Sequence, residues 1–267
     1  LEAFIAAHPE RHALARTPAE ARRLLTETDK VVWVHSIEGA HHLLSDGGAA
    51  QRWADRGVAL VTLIHLRDDE FGGAGMLEGA KGPLVNPKGA RAARRGDRRG
   101  LTDRGREAIV ELDAAGILVD LAHMAPATLD DALAVTGAHG IAPVVTHGMV
   151  DGWRSGKWAV SRDNVVEIYR QGGIFAMGLS ALDLQPEHAD DPPAGLCWGT
   201  VEAWAWHQGQ LQQLLAAHAD TLLAPGEDPT VRLATGWSSD WNGWTSHSRP
   251  THGPRGCRPG WRATVPM

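Results

Sequence analysis

Apolar runs of strand length recur along the chain, and segments of helical composition lie between them. We predict strands at six runs: residues 31–37, 58–65, 117–121, 142–146, 173–179 and 231–236. These runs are nearly continuous in hydrophobicity, which is typical of parallel strands that are covered on both faces. The alternation of strand and helix therefore predicts βαβ units around a parallel sheet.

Helix signals lie between the predicted strands. Thr17, Pro18 and Glu20 form an N-terminal capping pattern that predicts a helix to about Thr28. Thr102 begins a second helix, for which Gly116 is the stop. Further helices are predicted over 126–135, 162–171 and 198–219, and irregular structure over 183–195 and 242–267. Residues 67–100, rich in Gly, Arg and Asp, form a long connection between predicted elements. We interpret 67–100 as a lid over a site or a mobile insertion.

The number of strands bears on the architecture. A closed (β/α)₈ barrel needs eight strands, and the pattern predicts only six. The chain also begins with Leu1 and continues only briefly after its last predicted strand. We therefore expect an α/β fold of the TIM-barrel type that is incomplete, with its first and last strands missing. Residues 1–267 would form one partial barrel domain with an irregular tail at 242–267.

Composition excludes several classes of protein. Of 267 residues, 43% are hydrophobic, which is enough for one sizeable core, and the net charge of −6 with no basic stripe argues against a nucleic-acid partner. No run approaches the roughly 20 apolar residues of a transmembrane segment. No signal peptide precedes the first strand, which favours a cytoplasmic protein, although we expect the natural N-terminus to lie upstream of Leu1.

Polar side chains follow five of the six predicted strands. They are Glu38, His65, His123, His147 and Asp240. One such histidine is usually a hydrogen-bonded core residue, but the carboxyl ends of parallel strands converge on one face, where barrel active sites are built. Two imidazoles and a carboxylate make the ligand set that holds catalytic zinc with an open position. The pattern therefore predicts a metal-dependent hydrolase, without naming its substrate.

Several motifs resemble the membrane dipeptidase (renal dipeptidase, peptidase M19) family. The matching segments are Ile37-Glu38-Gly39-Ala40-His41, Thr62-Leu63-Ile64-His65, Gly100-Leu101-Thr102-Asp103-Arg104-Gly105, Asp120-Leu121-Ala122-His123, Thr146-His147 and Ser239-Asp240-Trp241-Asn242-Gly243. The resemblance implies a binuclear zinc peptidase on a (β/α)₈ barrel, which cleaves dipeptides by means of a metal-bound hydroxide.

The resemblance also implies a role for each matching residue. Glu38 is similar to the carboxylate that bridges both metals, and His123 and His147 are similar to the other ligands of one of them. His65 resembles the histidine that stabilises the tetrahedral intermediate, and Asp240 the carboxylate that transfers the proton. Arg162 resembles the arginine that binds the substrate carboxylate. Arg162 and His65 are therefore the two candidates for substrate binding.

One departure from the family pattern concerns the second metal. The family supplies its other two ligands from a first strand that ends in His-x-Asp, and no such triplet precedes Glu38. We therefore expect about one tightly bound zinc per chain and impaired turnover. Asn242 replaces a second acidic residue of the family, which leaves Asp240 intact.

Alternatives to the dipeptidase reading stay open. An amidohydrolase-like barrel could act on another amide or ester, because a fold alone does not fix the substrate. A non-catalytic relative could keep the barrel for binding. A homodimer is a further expectation. We interpret His35 as structural and place His41 and His42 outside the ligand set, although they are the candidates if a second metal is held.

Overall fold

The structure, a computed structural model, describes residues 1–75, 81–151, 159–178 and 201–222. Its sheet has six strands in the order β1-β2-β3-β4-β5-β6, and every neighbouring pair is parallel. The strands are β1 (His12–Ala15), β2 (Val31–Glu38), β3 (Val58–Thr62), β4 (Leu118–Asp120), β5 (Val144–Gly148) and β6 (Ile174–Met177). This sequential order indicates the α/β architecture that the strand pattern predicts.

Strand order separates two kinds of parallel α/β fold. A doubly wound sheet reverses its order at a switch point, whereas a barrel adds strands in sequence. The described strands follow one another without reversal. The sheet is thus a curled part of a TIM-like barrel. The predicted strand at 231–236 and the predicted irregular segments at 183–195 and 242–267 lie outside the described residues.

Strand β1 is absent from the sequence prediction. Its four residues pair in parallel with β2, with His12 opposite Val31, and Trp33 Nε1 donates a hydrogen bond of 3.1 Å to His12 Nδ1. The hydropathy pattern does not predict this strand, because Leu14 is its only large apolar residue. β1 ends without a His-x-Asp triplet, so a strand that carries this triplet stays a prediction.

Ten helices are assigned within the described ranges, mostly between strands. They are α1 (Glu2–Ala7), α2 (Pro18–Glu27), α3 (Ala49–Asp55), α4 (Lys81–Val85), α5 (Pro87–Arg95), α6 (Asp103–Ala114), α7 (Pro126–His139), α8 (Arg162–Arg170), α9 (Val201–Ala217) and α10 (Ala219–Leu222). The predicted caps are confirmed, since the hydroxyls of Thr17 and Thr102 accept hydrogen bonds from backbone N–H groups three residues later.

Residues 67–100 are more regular than predicted. Helices α4 and α5, which were not predicted, occupy part of this connection. The Asn86 side chain caps α5 by accepting from the Gly89 N–H, and Pro87 stands at the first helical position. Gly96 ends the helix in the left-handed conformation. This Asn-Pro start and glycine stop were visible in the sequence.

A buried ion pair joins the two ends of this segment, Asp68 and Arg99. Arg99 Nε donates a 2.9 Å hydrogen bond to Asp68 Oδ2, and both side chains are almost fully buried. Burial alone would raise the pKa of Asp68, but hydrogen bonds from Arg99, Asn86 and the Ala74 N–H outweigh it and lower that pKa. Arg99 is therefore buried, unlike the neighbouring Arg98, whose side chain is 62% exposed.

The main core lies between the sheet and the helices that follow its strands. Its largest fully buried side chains include Phe71, Leu63, Ile64, Ile109, Leu112, Leu121, Val145 and Ile168. Most of them sit within a few residues of a strand end or on α6 and α8. Within the described ranges, no helix combines the length and the hydropathy needed to cross a membrane.

Loss of the Asp68 carboxylate should destabilise the fold. We expect Asp68→Asn to lower the free energy of unfolding by about 3 kcal/mol, because Arg99 is left buried without its counter-charge. The matched control is Asp97→Asn, which removes the exposed ion pair with Arg95 and should cost less than about 1 kcal/mol. Urea denaturation measures both, and equal losses would contradict the structural role of the buried pair.

Acid should destabilise the protein through His207, a fully buried residue of α9. Burial lowers its pKa from 6.5 to about 4. The unfolded chain therefore binds a proton at a higher pH than the folded chain does. As the pH falls from 6.5 to 4, the free energy of unfolding decreases, and below pH 4 His207 causes no further decrease.

The measurement is the urea unfolding free energy at pH 7 and pH 4. Between pH 7 and pH 4, the free energy of unfolding of His207→Leu should decrease by about 2 kcal/mol less than that of the parent protein. His139→Leu, at the C-terminal end of α7, is the control and should keep the parent's pH dependence. An unchanged acid sensitivity in His207→Leu would mean that other groups cause it.

Candidate metal centre

Glu38 is the last residue of β2, and the chain must turn sharply after it. Gly39 makes this turn with a φ of +87°. A Cβ at this position would lie 2.9 Å from the Cβ of His65, closer than two carbon atoms can pack. The Gly39 N–H also donates to the Thr62 carbonyl at 2.9 Å. Glycine therefore allows the ends of β2 and β3 to approach each other and brings Glu38 near His65.

His123 follows β4 in a backbone conformation that is uncommon for residues other than glycine. Its φ is +65°, in the left-handed region, and its side chain is only 7% exposed. Its Nε2 lies 3.1 Å from Glu38 Oε1. Such strain is often found at functional sites, where the surrounding structure maintains it.

Electrostatics favour a neutral His123. Burial lowers its pKa, and the neighbouring His147 and His65 lower it further, while Glu38 opposes the shift. The pKa thus lies below that of a free imidazole, and the ring is uncharged at neutral pH. Neutral imidazole is the form that binds a metal.

His147 completes a compact group of three side chains. It lies in β5, and its Nε2 is 2.7 Å from His123 Nε2 and 3.5 Å from Glu38 Oε1. One ligand atom from each of Glu38, His123 and His147 lies within 4.8 Å of the other two. Two imidazoles and a carboxylate suit a borderline metal such as Zn²⁺. The donor set therefore fits the metal that the family pattern implies.

His65 lies beside this group and is not within its mutual 4.8 Å spacing. Its Nε2 is 3.7 Å from Glu38 Oε1, and its ring meets the His123 ring edge-on, with centroids 4.5 Å apart. It is thus a close neighbour of the three candidate ligands.

A cleft of about 400 Å³ opens beside Glu38 and His65. The segment that follows β3 and the first turn of α5 supply most of its other walls, including Arg67, Asp69 and Lys88. Asp69 accepts hydrogen bonds from the N–H groups of Phe71 and Gly72, yet burial raises its pKa to about 6. The segment predicted as a lid or an insertion therefore lines the candidate site.

Arg162 and Asp240 are the two remaining predicted site residues. Arg162 is the first residue of α8, whose N-terminus follows the connection from the carboxyl end of β5. Asp240 lies outside the described residues.

A second group of potential ligands combines His41 and His42 with Glu70, a residue that was not predicted as a ligand. His41 Nδ1 lies 2.6 Å from Glu70 Oε2, and the His42 backbone N–H donates to Glu70 Oε1 at 2.7 Å. His41, His42 and Glu70 could together hold an ion. His35 instead contacts Glu2 at 3.2 Å. His35, His41 and His42 are not members of the ligand group that contains Glu38. The sequence contains no motif that pairs His41 with Glu70.

Asp120 is a further residue that the sequence analysis did not single out, although it lies three positions before His123. It is fully buried at the end of β4. Its carboxylate accepts hydrogen bonds from the hydroxyls of Thr62 and Thr146 at 2.5 and 2.8 Å. A buried acid that follows an apolar strand was the available signal.

Comparisons with known proteins agree with this geometry at the level of fold. A structure titled as an amidohydrolase from Pseudomonas aeruginosa superposes with a TM-score of 0.61 at 17% identity, over 80% of this chain and 56% of that one. A metallo peptidase from Rhodobacter sphaeroides, bound to a phosphinate mimic of the dipeptide L-Ala-D-Ala, gives 0.62 at 18% identity, over 90% and 69% of the two chains.

Sequence comparisons identify the family. An uncharacterized dipeptidase of Schizosaccharomyces pombe is 25% identical over 151 residues, which are 56% of this chain and 32% of the relative. The chain therefore spans about a third of that relative's length. The profile of the membrane dipeptidase family, peptidase family M19, matches residues 1–191, well over half of the chain. By this match, the protein belongs to the membrane dipeptidase family.

Proposed function

We propose that the chain is a zinc-dependent dipeptidase whose metal is held by Glu38, His123 and His147. The observation that carries this proposal is the convergence of three ligand atoms, from the carboxyl ends of β2, β4 and β5, within 4.8 Å of one another. Membership of the membrane dipeptidase family supports it independently. The chemistry of the donor set favours zinc, because a His₂Glu set leaves a coordination position open for reaction.

Three side chains would act on the substrate. A bound zinc ion supplies Lewis acidity and an activated water. His65, next to Glu38, donates a hydrogen bond to the oxyanion that develops on the peptide carbonyl. Asp240 accepts the proton of the attacking water and passes it to the leaving amine. Arg162 binds the free carboxylate of the dipeptide through two parallel hydrogen bonds, a geometry that its planar guanidinium favours.

The size and position of the cleft support a dipeptide as substrate. Its volume of about 400 Å³ lies within the range of small-molecule sites. It opens at Glu38, where the scissile bond would lie, and has charged walls that suit a zwitterion. The dipeptide mimic bound by the Rhodobacter sphaeroides metallo peptidase is consistent with this substrate class.

A second hydrolytic function has some support from the fold. The Pseudomonas aeruginosa neighbour is titled an amidohydrolase, and amide or ester substrates other than dipeptides would use the same metal chemistry. Assays of zinc-loaded protein on L-Ala-D-Ala and on N-acetyl-alanine separate the two. Preference for the dipeptide supports a dipeptidase, and preference for the acetyl compound supports the alternative. Zinc binding without either activity would favour a non-catalytic relative.

Substitution of the ligands should abolish tight metal binding. We expect His123→Ala and His147→Ala each to weaken zinc binding at least tenfold, because the donor set falls from three to two. His139→Ala and His218→Ala remove histidines outside the centre and should leave the affinity unchanged. Competition with a zinc-binding dye measures all four variants, and equal losses in all of them would refute the ligand assignment.

Stoichiometry tests how many metals the chain holds tightly. We expect about one zinc per chain, since the family's second site would have Glu38 as its sole identified ligand. Metal analysis after dialysis against a weak chelator gives the ratio. Two tightly bound ions would contradict this expectation. If Glu70→Gln then removed one ion, the cluster with His41 and His42 would be its site.

A further inference from the structure

Asp120 forms four hydrogen bonds that use both of its carboxylate oxygens. Oδ1 accepts from the backbone N–H groups of Ala122 and Thr146, at 3.1 and 3.0 Å. Oδ2 accepts from the hydroxyls of Thr62 and Thr146, at 2.5 and 2.8 Å. An ionised carboxylate offers about four lone-pair positions and no proton. Each of these contacts must therefore be a donation to Asp120.

The direction of these bonds fixes the proton of Thr146. A hydroxyl has one proton, and Thr146 donates it to Asp120. The same oxygen lies 3.0 Å from His147 Nδ1, and it can only accept there. His147 must then carry its proton on Nδ1. Its Nε2 keeps a free lone pair, and this atom is the one that lies 2.7 Å from His123 Nε2 and 3.5 Å from Glu38 Oε1.

We propose that Asp120 is a positioning residue that acts through the Thr146 hydroxyl to hold His147 in the tautomer that can bind the metal. The inference rests on the proposed metal centre. It adds a carboxylate–hydroxyl–imidazole chain that neither the motif pattern nor the family match assigns. Outer-shell groups of this kind orient metal-binding histidines and typically change metal affinity ten- to a hundredfold when they are removed.

Replacing Asp120 by asparagine reverses the direction of these hydrogen bonds and keeps the shape of the side chain. The Asn amide donates where Oδ2 accepted, so the Thr146 hydroxyl accepts from it and donates to His147 Nδ1. His147 then carries its proton on Nε2 and cannot bind the metal through that atom. We expect Asp120→Asn to weaken zinc binding about tenfold to a hundredfold.

Variants at Thr146 separate positioning from folding. Thr146→Val removes the hydroxyl at nearly constant shape and should weaken zinc binding to a similar degree, whereas Thr146→Ser keeps the hydroxyl and should bind zinc like the parent. The matched control is Thr136→Val, at a fully buried threonine of α7 outside the site, which should leave zinc affinity unchanged. If Asp120→Asn fails to fold, the Thr146 pair still decides the question.

The decisive readout is the ¹⁵N NMR signature of the imidazole rings in zinc-free protein, with the His147 signals assigned through His147→Gln. The parent should have its proton on Nδ1, and Asp120→Asn should move it to Nε2. An Nε2 proton in the parent, or no change in Asp120→Asn, would overturn the proposal. Because this readout needs no metal, it holds even if Glu38, His123 and His147 bind no zinc, which would instead refute the proposed function.

Discussion

The carboxylate of Asp120 is the interaction on which the candidate site depends. Through Thr62 and Thr146 it joins the carboxyl ends of β3 and β5 to its own strand, β4. Each of these strands carries a site histidine, either within it or a few residues beyond it. A buried charge is costly unless its hydrogen bonds are complete, and here four donors surround it. The same contacts therefore satisfy the buried acid and fix the spacing of the strand ends.

The site brings together three imidazole rings that would repel one another if they were charged. Three imidazoles lie close together, with successive ring centroids about 4.5 Å apart, and their mutual repulsion would be large if they were charged. Burial keeps the pKa of His123 low, so this repulsion is avoided at neutral pH. The left-handed backbone of His123 adds strain that the neighbouring strands must maintain. Such an arrangement is expected where function, and not stability, selects the geometry.

Much of the fold and the location of the site could be predicted from sequence. The strands that were predicted and lie in the described ranges are long apolar runs, and the capped helices α2 and α6 begin with clear Thr signals. The carboxyl-end rule for parallel strands placed Glu38, His65, His123 and His147 on one face without any alignment. These features are local or follow from a general rule of topology.

The features that escaped prediction depend on contacts distant in the chain or on weak patterns. β1 has one large apolar residue and is a strand because it pairs with β2. The Asp68–Arg99 pair and the His41–Glu70 contact join residues about thirty positions apart, with no motif between them. The role of Asp120 emerged only when the hydrogen-bond partners of its two oxygens were known. The sequence pattern therefore located the candidate ligands and missed the residues that contact them.

The central claim is that two histidines and one glutamate bind the metal. X-ray absorption at the zinc edge of the protein with one zinc bound tests it most directly, because it reports the ligand atoms themselves. We expect nitrogen and oxygen neighbours at about 2.0–2.1 Å, with the outer-shell scattering of two imidazoles, and the loss of one imidazole in His147→Ala. A sulfur neighbour at about 2.3 Å, or two imidazoles that persist in His147→Ala, would contradict it.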